Sequence, residues 1–369
     1  MEYDSCPPAL NMDRYRWERY QIMDWKSRNR TLINPLNTSC VASYDYDNDG
    51  DEDLFIGNLS NPGGFGADVN SAILINNGQG KFNADLTFKL NSKVTDAIWI
   101  DINNDGQKDL LVSSEWGAPK VFINSNGKLS LVEIAENLEG LWQSITAYDI
   151  DKDGDKDILL GNWGLNTKFN PTLKNPLTMY YGDFDQNNRK ETVITYSKNG
   201  KKYPVNSKDE LAAQMNIVSK QFVEHKDYAL KTVEEILSVE GIKKALKFTV
   251  NTLASGYLEN NDGDFKTFKQ FPKELQYAPI GSFDFIDVNK EKRVIISGNS
   301  LSVNTYHGGY TSLKGVLLKS ITEYDFVSNF GMLPFNTKIK GIKSVEMKNE
   351  KLLLVVSNND SIQTYFYKK

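Results

Sequence analysis

The sequence predicts an all-β fold: a β-propeller of six to seven four-stranded antiparallel blades, with a helical insertion. Three observations predict it. A nine-residue Asp-rich pattern recurs along the chain, each copy lies between two strand-like runs, and Asn-Gly hairpin signals follow at blade spacing.

The pattern reads Asp45 to Asp53 (DYDNDGDED), Asp101 to Asp109 (DINNDGQKD) and Asp149 to Asp157 (DIDKDGDKD), with a looser copy from Asp183 to Glu191 (DFDQNNRKE). Strand-like residues precede each copy, and LFIGN, LLVSSEW, ILLGNW and TVITY follow. Each Asp loop therefore joins two strands. Ile73 to Phe82 (ILINNGQGKF), Val121 to Leu129 (VFINSNGKL) and Gly256 to Phe265 (GYLENNDGDF) each read strand, turn, strand. Asn and Gly tolerate the positive φ that tight hairpin turns require. One unit is thus a four-stranded meander of roughly 45–55 residues, the period of a propeller blade.

Farther on, Asp284 to Asn299 keeps the flanking strands around a shorter turn, and 315–322 and 341–368 read as further strands. Residues 41–369 make up the propeller. Residues 1–40 form an N-terminal segment expected to pack on or close it, and Arg14 to Trp25 reads equally as helix or strand. The β pattern breaks at 207–246. Ser207 with Glu210 forms a capping-box signature, and Leu211, Met215, Val218 and Phe222 fall on one helical face. A second helix is expected from Tyr228 to Val239, ending at Gly241. The insert reads as packed on the rim, or as a lid or docking surface.

The Asp loops point to Ca²⁺. In the first, Asp45, Asp47 and Asp49 hold positions 1, 3 and 5, Gly50 position 6, Asp51 position 7 and Asp53 position 9. A tight loop aims such alternating oxygens at one centre, and Ca²⁺ takes six to eight hard oxygen ligands. The equivalent residues are Asp101, Asn103, Asp105, Gln107 and Asp109; Asp149, Asp151, Asp153, Asp155 and Asp157; and Asp183, Asp185, Asn187 and Glu191. An EF-hand would need a Glu at position 12 and flanking helices; here Ile56 stands there between strands. The bland alternative is a solvated acidic turn. About three sites are expected, with the fourth open and the second weakened by Asn103 and Gln107. Three divalent ions add six charges and take the formal net charge from −5 to +1.

That acidity argues against a nucleic-acid partner held through phosphates. No apolar run is long enough to span a membrane, and MEYDSCPPAL carries no signal-peptide pattern. Cys6 and Cys40 pair or stay free.

The loops resemble the FG-GAP/VCBS repeat family, which includes integrin α-subunit heads and many bacterial surface proteins. The likeness spans about residues 40–369. It is nearest to bacterial VCBS repeat proteins related to the ASPIC/UnbV and cartilage acidic protein group. The three Asp loops carry it, with Gly161-Asn162-Trp163-Gly164-Leu165-Asn166, Tyr203-Pro204 and Asn358-Asn359-Asp360. Gly-Asn stands where the integrin pattern has Gly-Ala-Pro. The resemblance implies calcium in the strand 1–2 loops and extracellular, cell-surface or periplasmic recognition, such as cell adhesion or carbohydrate binding.

Blade topology puts the strand 2–3 loops on the face opposite the Asp loops. They carry Leu59 to Asn70, Trp116, Asn162 and Trp163. Exposed, the tryptophans would offer rigid contact surface for a glycan or protein ligand; alternatively they pack between blades. A propeller polysaccharide lyase or hydrolase is the second reading, with His307 its one candidate base and His225 in an unrelated context. A structural scaffold in a surface assembly is the third.

Overall fold

A computed structural model describes residues 21–23, 30–33, 35–301, 308–348, 350–358 and 360–368. Cys6, most of Arg14 to Trp25, and His307 lie outside them.

Antiparallel sheets dominate, because runs of β-branched and aromatic residues alternate with Asp, Asn and Gly turns. The first blade comprises Asn37–Tyr44, Asp53–Ser60, Asn70–Asn76 and Phe82–Ala84. The second comprises Lys93–Ile100, Asp109–Gly117, Lys120–Asn124 and Leu129–Val132. Short strands at Leu90–Asn91 and Gly140–Leu141 add to these two sheets. The third joins Ser144–Tyr148 and Asp157–Gly161 to Gly256–Asn261 and Asp264–Gln270. The fourth is Ile280–Val288, Glu291–Gly298, Val316–Ser320 and Glu323–Phe326. The fifth is Ile339–Glu346, Glu350–Ser357 and Gln363–Lys368.

The fourth Asp loop lies off this series. Between the second and third strands of the third blade the chain builds another sheet, in the order Lys201–Pro204, Glu191–Lys198, Leu177–Gly182, Leu246–Val250. Ile158, Leu159 and Leu160 still find Leu258, Tyr257 and Gly256 across this excursion. The long strand 2–3 connection is therefore a nested sheet with its own Asp loop.

First strands of successive blades lie side by side. Polar side chains lock them. Ser39 Oγ donates to the Val94 carbonyl (2.7 Å), and Ser144 Oγ to that of Ile280 (2.9 Å). The Ile145 N–H donates to Asp96 (3.2 Å), and that of Ser344 to Asp284. Between these locks, the sheets bury apolar faces against each other. Phe55 and Ile73 of the first blade meet Val112 and Phe122 of the second. Ile295 and Leu317 of the fourth meet Ile342 and Leu353 of the fifth.

The insert carries α1 (Lys208–Gln214), α2 (Asn216–Gln221), α3 (His225–Tyr228), α4 (Val233–Ile236) and α5 (Val239–Lys244). The Ser207–Glu210 capping box forms. Leu211, Met215, Val218 and Phe222 are buried together against Tyr180, Phe184 and Val193 of the nested sheet. The expected helix over 228–239 does not form, and Gly241 lies inside α5 rather than past a helix end. Thr232 and Ser238 each cap a new N-terminus there, so local side-chain bonds divide the segment into short turns.

The strand 2–3 tryptophans are inside. Trp116 and Trp163 are 6% and 8% exposed, and both belong to the largest apolar cluster, with Leu141, Leu253 and Tyr310. Trp163 meets Tyr310 edge-on, with ring centroids 5.4 Å apart. Their proposed role as ligand anchors needed exposure, which they lack. Truncation of Trp163 to Ala is expected to destabilise the fold by about 3–5 kcal/mol, the usual range for a buried aromatic. Urea unfolding checks this, and a change under about 1 kcal/mol would contradict the packing.

Candidate metal centres and the opposite face

Each Asp loop is anchored at two positions before any ion is considered. Position 2 is apolar and buried: Tyr46, Ile102, Ile150 and Phe184. Position 9 is an acid, also buried, whose oxygens accept backbone N–H groups. Asp53 accepts from Tyr46 (3.2 Å) and Asn76 (2.8 Å), and Asp109 from Ile102 (3.0 Å) and Asn124 (2.9 Å). Asp157 accepts from Ile150 (3.1 Å) and Asn260 (2.9 Å), and Glu191 from Phe184 (3.1 Å). The three aspartates staple their loops to the third strand of the same sheet, while Glu191 closes its loop on Phe184 alone. Asn124 and Asn260 extend the staple to the preceding blade, donating to the Tyr46 and Ile102 carbonyls. The recurring Asn before each hairpin turn was the sequence signal for this second partner.

Burial raises the position-9 acids, because a carboxylate loses hydration there. Asp53 and Asp109 are pushed up, Asp157 to about 6 and Glu191 to about 7, against the pull of their N–H donors. Asp47 and Asp151 are raised by burial and then by their neighbours Asp49 and Asp153.

Three loops bring acids together. Asp45, Asp47 and Asp53 place one oxygen each within 4.8 Å of one another, as do Asp149, Asp151 and Asp157, and Asp183, Asp185 and Glu191. The contributing positions are 1, 3 and 9. The glycine at position 6 adopts positive φ, 98° at Gly50 and 109° at Gly154, and Asn188 does so at 64° in the fourth loop. Asn tolerates that region, so the loose copy folds like the full ones.

The second loop differs. Asn103 donates to Asp105 (3.1 Å), and the Lys156 ammonium from the next loop bonds the Asp101 carbonyl (2.8 Å) and Asn104 (3.1 Å). A lysine thus brings positive charge beside this loop. The side chain of Gln107 turns away and accepts from the Asn126 N–H (2.7 Å), and Asp51 lies against Gly78 of the neighbouring turn. At position 7 the side chains of Asp51 and Gln107 serve the hairpin next door, so only the backbone carbonyl there could face an ion. Asp49 and Asp153 at position 5 stand outside the acid trios, each accepting the N–H two residues on.

The loops also differ in how position 1 is satisfied. Asp45 accepts from Asp49 (3.1 Å) and Gly50 (3.0 Å), Asp101 from Asp105 and Gly106, and Asp183 from Asn187 and Asn188. In the third loop, Asp149 Oδ1 and Asp151 Oδ1 are buried with no hydrogen-bond partner. Two such oxygens side by side are costly unless something positive meets them. The donor set is all hard oxygen, which suits Ca²⁺ and not a soft metal.

At the opposite end of the blades, Gly-Asn pairs hold the strand 2–3 loops. Asn162 is wholly buried. Its Oδ1 accepts from Leu141 (3.1 Å) and Trp163 (2.8 Å), and its Nδ2 donates to the Thr252 (3.2 Å) and Ala254 (3.3 Å) carbonyls. Asn299 repeats this on the Leu313, Phe335 and Thr337 carbonyls. The glycine is required by contact: a Cβ at Gly161 would lie 2.3 Å from the Ile280 carbonyl oxygen. Asn162 therefore has a structural part and no free polar atom for a ligand. His225 is exposed on the insert, 3.4 Å from Asp209.

Comparison with known proteins agrees with this architecture. Residues 45–112 and 101–160 match the FG-GAP-like repeat. No curated protein matches the sequence. A solved structure described as "Crystal structure of BBS1N in complex with ARL6DN, soaked with mercury" aligns with 89% of this chain and 91% of that chain, at 11% identity and a TM-score of 0.25. A likeness that low carries no argument. What the repeated loops, their buried staples and the sequence match establish together is that residues 45–160 carry FG-GAP-like repeats.

Proposed function

We propose that this chain is a calcium-binding recognition module working outside the cytoplasm, with a glycan or a protein as its ligand. The observation that carries the calcium part is the pair of partnerless buried oxygens on Asp149 and Asp151 within an acid trio. Ca²⁺ would be held by positions 1, 3 and 9 of the first, third and fourth loops, and would supply charge neutralisation. The chain's own groups do the rest. The position-9 acids of the first three loops tie each to the third strand of its sheet, and the position-2 side chains seat all four in the core. A rigid ring of this kind suits presentation of loops.

With the tryptophans buried, the contact surface for a ligand falls to exposed parts of the strand 2–3 connections, such as Leu165 and Leu173. The repeat match and the resemblance to surface proteins support a location at the cell surface or in the periplasm. No helix among the described residues is long and apolar enough to cross a membrane.

Titration calorimetry with Ca²⁺ tests the metal assignment. Saturation near three ions per chain is expected, and the double change Asp149→Asn with Asp151→Asn should remove one of them. Absence of any bound divalent ion in the unmodified protein would sink the proposal.

A further inference from the structure

The second Asp loop has the same frame as the loops that bring three acids together. Asp101 accepts from the N–H groups of Asp105 and Gly106, as Asp45 does from those of Asp49 and Gly50. Asp109 is stapled like Asp53, and Gly106 takes the same positive φ, 89°. Asn103 Oδ1 accepts the Asp105 N–H (3.1 Å), just as the Asp47 carboxylate accepts that of Asp49 (3.3 Å). An amide oxygen is an ordinary calcium ligand. Asn in place of Asp at position 3 therefore lowers the charge and keeps the donor set hard.

What sets this loop apart is a cation already on it. Lys156 is position 8 of the third loop, and its ammonium bonds the Asp101 carbonyl (2.8 Å) and Asn104 Oδ1 (3.1 Å). The preceding blade offers a like-for-like case in Lys108, position 8 of the second loop. The Asn124 amide donates to the carbonyls of Lys108 and Tyr46, and the Asn260 amide to those of Lys156 and Ile102. The two lysines thus leave the backbone from equivalent places. Yet the Lys108 ammonium lies over the ring of Tyr44, 4.9 Å from its centroid. Tyr44 stands directly before Asp45, whereas Ile100 stands directly before Asp101 and offers no aromatic face to hold a cation. At the third loop, Lys292 of the fourth blade lies over Phe285 (4.4 Å), and Lys269, whose charge reaches Asp151, is paired with Glu259.

We propose that Lys156 is the resident cation of the second loop and that its ammonium keeps calcium out. An ammonium bonded to the loop repels a divalent ion seeking the same loop. It is also tethered, so it competes at a high effective concentration. The inference rests on the calcium reading above and adds the reason why four loops would hold three ions.

Calcium counting by titration calorimetry on the whole chain and its variants tests it. The unmodified chain is expected to take three ions. Lys156→Gln, which keeps a donor and drops the charge, should take four. Should that variant fail to fold, Lys156→Met decides in its place. Adding Asp101→Asn should return the count to three. Asn103→Asp, which supplies the carboxylate of the other loops and leaves the lysine, should stay at three. No gain on the Lys156 variants overturns the proposal and leaves the calcium reading standing. So does a gain on Asn103→Asp alone, a fourth ion on the unmodified chain, or a fourth ion that survives Asp101→Asn. An unmodified chain that binds no ion brings down the calcium reading, and this inference with it.

Discussion

Removing calcium is expected to lower the melting temperature by roughly 10 °C at pH 7.5 and by much less at pH 5. Each site contributes about 2.7 kcal/mol at a hundredfold excess of ion over its dissociation constant, so three contribute about 8 kcal/mol. A chain of 369 residues has a large unfolding entropy, and each kcal/mol shifts its melting point by only about 1.3 °C. The pH dependence follows from the buried acids. Without metal, Asp157 titrates near 6 and Glu191 near 7 in the folded chain, against about 3.9 and 4.3 when unfolded. Between those values the folded state binds more protons than the unfolded one. Stability of the ion-free protein therefore falls as pH rises from about 4 to about 7. Calcium opposes this by favouring the charged carboxylates, so its effect grows over the same window. Melting in calcium-loaded and calcium-stripped buffer at the two pH values checks it. An equal shift at both would remove the link between the buried acids and the ion.

Much of this was legible in the sequence, for physical reasons. The Asp loops could be placed because alternating acids with a glycine at position 6 leave few conformations open. The hairpins could be placed because Asn126-Gly127 and Asp262-Gly263 demand positive φ, which they adopt at 51° and 78°, and 52° and 87°. The nested sheet was not legible. Local pattern says that Leu177–Gly182 and Glu191–Lys198 are strands around an Asp loop, but not which strands the flanking ones join. The pairing of Asp157–Gly161 with Gly256–Asn261 joins residues 96 to 100 apart in sequence, and no local signal encodes that separation.

The burial of Trp116 and Trp163 was hidden for a related reason. Trp163 opens the long connection that builds the nested sheet, while only two residues separate the strand of Trp116 from the next; both are covered because Val250 at the end of that sheet, and Leu253 just after it, enter the same core. Likewise Gln107 looked like a ligand by position alone. Its side chain instead follows the stronger local demand of an exposed turn N–H at Asn126. Positions 1, 3 and 9 converge in the first, third and fourth loops, where the position-9 acid is held by the N–H of position 2.

The change Asn162→Ala should be among the most damaging single substitutions in the molecule, with a loss of about 4 kcal/mol or more. Its amide closes the junction where the third blade, the second blade and the nested sheet meet. Truncation strips partners from the N–H groups of Leu141 and Trp163 and from the carbonyls of Thr252 and Ala254. Each buried group left unpaired costs about 1–3 kcal/mol, partly relieved where water can enter. Little can enter here, since Asn162 is wholly buried and Trp163 and Ser255 beside it are nearly so. Asn162→Asp keeps the Oδ1 acceptor but replaces the Nδ2 donor with a second oxygen and buries a charge, so it should be no milder at neutral pH. Leu165→Ala, three residues on and half-exposed, should stay within about 0.5 kcal/mol. Urea unfolding of the three variants separates a structural staple from a recognition residue. If Asn162→Ala melted like the unmodified chain, the amide would be free for a ligand after all, and the junction would have to be held by something else.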